Sequence, residues 1–175
     1  DLLLVSRHSL EHAWGFYKKI PSRNVSDPGG IELSPKKLEG LVSSIGSLEE
    51  VKRRAEETMA GKTTESLEII LAGALATNAS DIHIEPQTDA VRIRFRLDGT
   101  LHDVVFLPQK LYHLLLSRIK LIGELKLNVH DKAQDGRFTI HLGKTAIEVR
   151  ISILPGPEGE NIVLRILNPE TLEIS

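Results

Sequence analysis

The chain has 175 residues, no cysteine and a formal net charge of −2 at pH 7. Without cysteine there is neither a disulfide framework nor a cysteine-ligated zinc, and a reducing compartment is compatible. The charge balance argues against a dedicated nucleic-acid binder, and the longest mostly apolar run, residues 67–76, is too short to span a bilayer.

No secretory signal pattern opens the sequence, so a cytoplasmic location is expected. Residues 2–5 read as a short buried strand, and Leu10, Ala13, Trp14 and Tyr17 make a helical stripe over residues 9–19. From Pro21 to Pro35 the composition shifts to Pro, Gly, Ser, Asp and Asn, with Asp27-Pro28-Gly29-Gly30 as a breaker, the pattern of a linker or irregular loop. Ser34-Pro35 opens a helix, a polar cap followed by proline at the first helical position. A second helix starts near Ser47, where Glu50 completes a capping box, and Gly61 ends it. Thr64 caps a third helix with Leu67, Ile70, Leu71, Ala74 and Leu75 on one face.

From residue 79 onward apolar and polar residues alternate in short runs. Strands are expected at about 81–85, 90–97, 100–106, 136–142, 145–154 and 161–167. One helix, about 108–123, opens with Pro108 and is expected to bury Leu111, Leu114, Leu115, Ile119 and Ile122. Asp98-Gly99 and Gly143-Lys144 are tight hairpin turns, and residues 155–159 a longer one. The expected fold class is α+β: a mostly antiparallel sheet of about six strands with packing helices, preceded by a helical connector.

The strand at 90–97 carries the most chemistry. Val91, Ile93, Phe95 and Leu97 lie on one face, and Arg92, Arg94 and Arg96 on the other. Alternate strand residues are roughly 7 Å apart, so the three guanidinium groups form a row about 14 Å long. Like charges in such a row repel unless something anionic lies opposite, either a phosphate or a ladder of carboxylates. Asp81, His83 and Glu85 share one face of the preceding strand, and Glu148, Arg150 and Ser152 one face of a later strand, so acids of the same sheet are available. Lys110, Arg118 and Lys120 on the helix read as a solvated face, which Arg137 would help extend into a basic surface. Over residues 91–126, Lys and Arg outnumber Asp and Glu seven to three.

His83 between Asp81 and Glu85 has no second histidine at ligand spacing, so no metal site is expected. A phosphate loop needs a glycine five residues before Gly-Lys-Thr; Glu56 and Phe138 stand there instead, ahead of Gly61-Lys62-Thr63 and Gly143-Lys144-Thr145. Aromatic residues for base stacking are scarce, four Phe, two Tyr and one Trp, and Phe95 falls on the buried face.

Residues 79–86, 92–99, 117–120, Gln134-Asp135-Gly136-Arg137, 149–155 and the Gly159-Glu160 to Leu167 stretch follow one another in an order and spacing that resembles a known family. They look like the second N-terminal domain of the ATPases that drive type II secretion and type IV pilus assembly. The resemblance covers roughly residues 62–170 and implies a PAS-like domain there. It reads 1–20 as the tail of an upstream N-terminal domain, 21–61 as linker and connector helices, and 171–175 as the start of a link to an ATPase core. It implies that Arg94 and Arg96 reach the phosphates of ATP bound to a separate RecA-like core, with Arg92 and Lys110 ranked lower. Asp81, His83, Glu85, Arg118, Arg137 and Arg165 become domain-interface candidates. The implied cofactors, ATP and magnesium, belong mainly to that core, so this chain alone is expected to be inactive. The implied partners are the core, neighbouring subunits of a hexamer, and inner-membrane platform proteins that hold the assembly at the membrane; no nucleic acid is among them. On the residues alone two other readings stay open. One is a stand-alone ligand-sensing module, which needs an unfilled apolar cavity with convergent polar groups. The other is an interaction module that binds an acidic partner through residues 91–126.

Overall fold

A computed structural model describes residues 35–58 and 63–169, together with Arg7. The strand expected at 2–5, the helix over 9–19, the 21–34 loop, Gly61 and the 171–175 link lie outside the described residues. Helices α1 (Pro35–Ser44), α2 (Leu48–Thr58) and α3 (Thr63–Ala76) precede strands β1 (Asp81–Pro86), β2 (Val91–Leu97) and β3 (Thr100–Leu107). Helix α4 (Gln109–Ile122) then leads to β4 (Gln134–Leu142), β5 (Thr145–Gly156) and β6 (Gly159–Leu167). The six strands form one sheet in the order β3-β2-β1-β6-β5-β4, and every neighbouring pair is antiparallel. The fold is α+β, as expected.

Local chemistry sets most boundaries. The Ser47–Glu50 capping box forms, with the Glu50 N–H donating to Ser47 Oγ at 3.3 Å. The return bond shifts by one residue, from the Gly46 N–H to the Glu50 carboxylate at 3.4 Å. Asp98 and Gly99 both have positive φ, 48° and 79°, as a two-residue hairpin turn between right-twisted strands requires. Helix α3 begins one residue before the expected cap, Thr64. β4 starts two residues earlier than expected, and pairing of Gly156 with Gly159 shortens the expected longer turn to Pro157-Glu158.

Alternation then divides the sheet into two faces. Ile82, Ile84, Ile93, Phe95, Val149, Ile151, Ile162 and Leu164 are buried on one face, in a single core with Leu38, Val51, Leu67 and Ile70 of the helices. α1 lies against β4 and α2 against β3, while α3 packs between α1, α2 and α4. Glu68, which interrupts the apolar run of α3, is buried and meets Lys37 Nζ of α1 at 2.6 Å.

Helix α4 corrects two expectations. Leu114 is 55% exposed and Leu111 only half-buried, whereas Tyr112, Leu116 and Lys120 are buried. Apolar residues at 111, 112, 114, 115, 116, 119, 121 and 122 leave several faces open to a periodicity argument. The sheet chose among them. Lys120, read as solvated, is the larger correction: it is 1% exposed, because Glu160 of β6 reaches it from below.

Candidate functional site

The face of the sheet away from the helix-side core gathers the charged residues. Register places Asp81 opposite Arg96, His83 opposite Arg94 and Glu85 opposite Arg92. Each arginine of β2 meets a carboxylate of the same sheet. Arg92 holds Asp103 of β3 through two bonds, Nε to Oδ1 at 2.7 Å and Nη2 to Oδ2 at 2.9 Å. That fork is the main reason the Asp103 carboxyl sits below its ordinary value. Arg94 donates to Glu85. Arg96 has Nε 3.1 Å from Asp81 Oδ2 and donates from Nη1 to the Gly99 carbonyl at 3.1 Å. All three side chains remain partly exposed.

A second row crosses the strands at right angles to the first. Arg137 of β4 stands opposite Arg150 of β5, Arg150 opposite Arg165 of β6, Arg165 opposite Asp81 of β1, and Asp81 opposite Arg96 of β2. Neighbouring strands are about 4.8 Å apart, so four guanidinium groups and one carboxylate span roughly 19 Å. Arg165 Nε donates to Asp81 Oδ1 at 2.9 Å, and Arg150 Nε donates to Glu148 Oε1 at 3.1 Å. Arg137 is exposed and forms no ion pair among the described residues. Beside the row, a surface depression of about 290 Å³ opens between Asp135, Ser152, Arg150 and Arg165. A larger depression of about 390 Å³, mostly apolar, lies by the end of α3 and the Asp98-Gly99 turn, where Arg165 is its single basic side chain.

Sequence reasoning found the β2 row and missed this crossing one. The signal existed in the parity of Arg137, Arg150 and Arg165 on separate strands, but only pairing register says that they line up.

The Gln134-Asp135-Gly136-Arg137 stretch divides its labour by the same parity. Gln134 turns inward, and its amide bonds Lys126 N–H at 2.9 Å, Lys126 O at 3.1 Å and Val129 O at 3.0 Å. Gly136 faces the end of α4, where a Cβ would come within 2.5 Å of the Gly123 carbonyl oxygen. Asp135 and Arg137 turn outward. Helix and strand therefore meet backbone to backbone at Gly123 and Gly136, which seats Arg137 in its row.

The interface candidates separate in space. Asp81, His83, Glu85, Arg137 and Arg165 share the charged face. Arg118 and Lys110 lie on α4, in the helical layer on the other side, and join neither row. The Arg118 Nε has no hydrogen-bond partner among the described residues. His83 is largely buried, with Nδ1 3.7 Å from Glu85 Oε1. Burial, helped by Arg96 and Arg94, outweighs the nearby acids and holds its imidazole below the ordinary value. No group of three His, Asp or Glu among the described residues is placed to hold a metal ion. No helix among them is long and apolar enough to cross a membrane. The face suits phosphate oxygens through guanidinium forks.

The family model described as "Type II/IV secretion system protein" matches residues 56–175. "Putative type II secretion system protein E" of Escherichia coli (strain K12) is 40% identical over 119 residues, 68% of this chain and 24% of the relative. "Type II secretion system ATPase E" of Vibrio cholerae is 40% identical over 99 residues, 57% of this chain and 20% of the relative. "Type IV pilus assembly ATPase PilB" of Myxococcus xanthus is 33% identical over 146 residues, 78% of this chain and 26% of the relative. The matched region is thus a fifth to about a quarter of the length of these curated relatives.

Proposed function

Because the chain belongs to the type II/IV secretion system protein family, we propose that it is an N-terminal regulatory and assembly portion of a secretion or pilus-assembly ATPase. Its charged sheet face meets the phosphates of ATP held by a separate RecA-like core. Two of the relatives described above are themselves named ATPases, one of secretion and one of pilus assembly. The observation that carries the reading is the crossing row: Arg96, Arg150 and Arg165 share Asp81 and Glu148 as their ion-pair partners, and Arg137 has none among the described residues. Like charges set directly opposite across three strands destabilise a sheet, and an incoming phosphate relieves that repulsion.

Arg137 and Arg150 lead the contact, since they are exposed and least neutralised. Arg94 and Arg96 follow, a phosphate replacing Glu85 or Asp81 as their acceptor. Arg92 is spoken for by Asp103, and Lys110 stands in the other layer. Magnesium and the phosphate loop belong to the core, not to this portion. The same reading takes 62–170 as the second N-terminal domain, 21–61 as its connector, 1–20 as the tail of a preceding domain and 171–175 as the link onward. Neighbouring subunits of a hexamer and inner-membrane platform proteins are the proposed partners, at the cytoplasmic side of the membrane.

The test is ATP turnover of the intact protein. Arg137→Ala or Arg150→Ala should lower it by on the order of 10²-fold or more, toward the 10³–10⁵ that arginine fingers supply. Arg92→Ala should cost no more than about threefold, as expected of an exposed ion pair. Equal and small losses at all of these positions would remove the mechanism.

A further inference from the structure

The structure assigns Lys120 and Glu160 a positioning role: their buried ion pair pins the start of β4, so that Arg137 stands opposite Arg150. This inference rests on the phosphate-facing reading above for its functional consequence, and on geometry alone for the pin itself.

Lys120 lies in the last turn of α4, and Glu160 is the second residue of β6. Their side chains are 1% and 5% exposed. Lys120 Nζ is 2.7 Å from Glu160 Oε1 and 3.0 Å from Oε2, and donates to the Val129 carbonyl at 2.6 Å. Taking a lysine and a carboxylate out of water is costly, and a well-packed apolar pair of similar volume often holds a core as well or better. Stability alone is therefore a poor account of the pair.

Its connections say what it holds. The third acceptor, Val129 O, belongs to the connection 123–133 that runs from α4 into β4, and it also accepts from Gln134 Nε2. Lys120 and Gln134 thus grip the same carbonyl from the two ends of that connection. Glu160 is fixed in turn. Tyr112 Oη donates to its carbonyl at 2.6 Å and accepts from its N–H at 2.8 Å, and His130 Nδ1 lies 2.7 Å from Oε2. Three residues beyond Gln134 comes Arg137.

Among the described residues β4 is an edge strand, with β5 as its strand partner. The Gly143-Lys144 turn and the buried Phe138 and Ile140 set its register at one end. Gln134, paired with Ile153, lies at the end farthest from that turn, and a slip of one residue there would turn Arg137 to the core face. The ion pair, through Val129 and Gln134, ties that edge to α4 and β6.

The experiment compares the intact protein with the double variant Lys120→Met/Glu160→Leu and with the near-isosteric Glu160→Gln. It reads amide hydrogen exchange by peptide, thermal midpoint and ATP turnover. The double variant is expected to keep its thermal midpoint while exchange over residues 134–138 rises at least tenfold and exchange in β1 and β6 does not. Turnover should fall about tenfold, with kcat affected more than KM. Glu160→Gln should show the same localised rise, smaller, and serves if the double variant does not fold. Unchanged exchange at 134–138, or a rise spread over all strands, overturns the positioning role. A localised rise with unchanged turnover keeps the pin and removes the phosphate-facing reading instead.

Discussion

The Asp81 carboxylate sits between two arginines and a hydroxyl. Arg165 Nε donates to Oδ1 at 2.9 Å, Arg96 Nε lies 3.1 Å from Oδ2, and Ser80 Oγ donates to Oδ2 at 2.9 Å. Burial pushes its pKa up, but the bonds from Arg165 and Ser80 and the charges of Arg165 and Arg96 outweigh it, leaving the carboxyl below its ordinary 3.8. His83, two residues on, is held below the ordinary 6.5, chiefly by burial. Both groups bind protons less readily in the folded protein, so both stabilise it fully above those ordinary values and cease to as pH falls through the folded ones. Thermal midpoints should therefore fall on acidification from about pH 7 to 5, and again below about pH 4. His83→Gln should flatten the first step, and Asp81→Asn the second at the cost of a lower midpoint throughout. Parallel curves for wild type and both variants would assign the acid sensitivity to other groups.

Helix α4 shows how one element is oriented by what lies against it. Its apolar residues surround much more than one face, so the stripe through Leu111 and Leu114 and the stripe through Tyr112 and Leu116 are both compatible with its periodicity. Glu160 discriminates between them. The orientation that brings Tyr112 and Lys120 to Glu160 buries Leu116 and leaves Leu114 and Leu121 in solvent. Leu116→Ala should then cost about 2–5 kcal/mol, as expected of a buried leucine. Leu114→Ala should stay within about 0.5 kcal/mol of wild type. Urea midpoints at unchanged slope measure both, and equal costs would mean that the helix face is wrong.

At the scale of the molecule, β6 hydrogen-bonds to β1 on one side and to β5 on the other, joining two three-stranded halves. That closure brings Arg165 to Asp81 across 84 positions of sequence and so completes the crossing row. α1, α2 and the turn between them pack onto the sheet: Leu38, Ile45, Val51 and Ala55 are buried in the same core. A chain beginning at residue 62 would leave apolar area of α3 and the sheet uncovered. It is expected to unfold at lower urea with a smaller slope than the whole chain, because less surface is exposed on unfolding. An unchanged midpoint would show that α1 and α2 contribute nothing to the stability of the sheet.

Local patterning was sufficient for much of this. Alternation at 81–85 and 90–97, the Asp98-Gly99 turn and the Ser47–Glu50 cap are decided by residues within a few positions of one another, and the structure keeps them. The β2 arginine row was legible for the same reason. Asp81 and Glu85 were legible as available acids, but Asp103 was not, and which acid meets which arginine depends on strand pairing. The crossing row needs five strands in register, and the Lys120–Glu160 pair needs α4 seated on β6. By itself the sequence determined which residues alternate, turn and cap, because those preferences act over a few bonds. Only the tertiary structure decided which charges face each other, because Coulomb attraction and desolvation depend on distances that chain order does not contain.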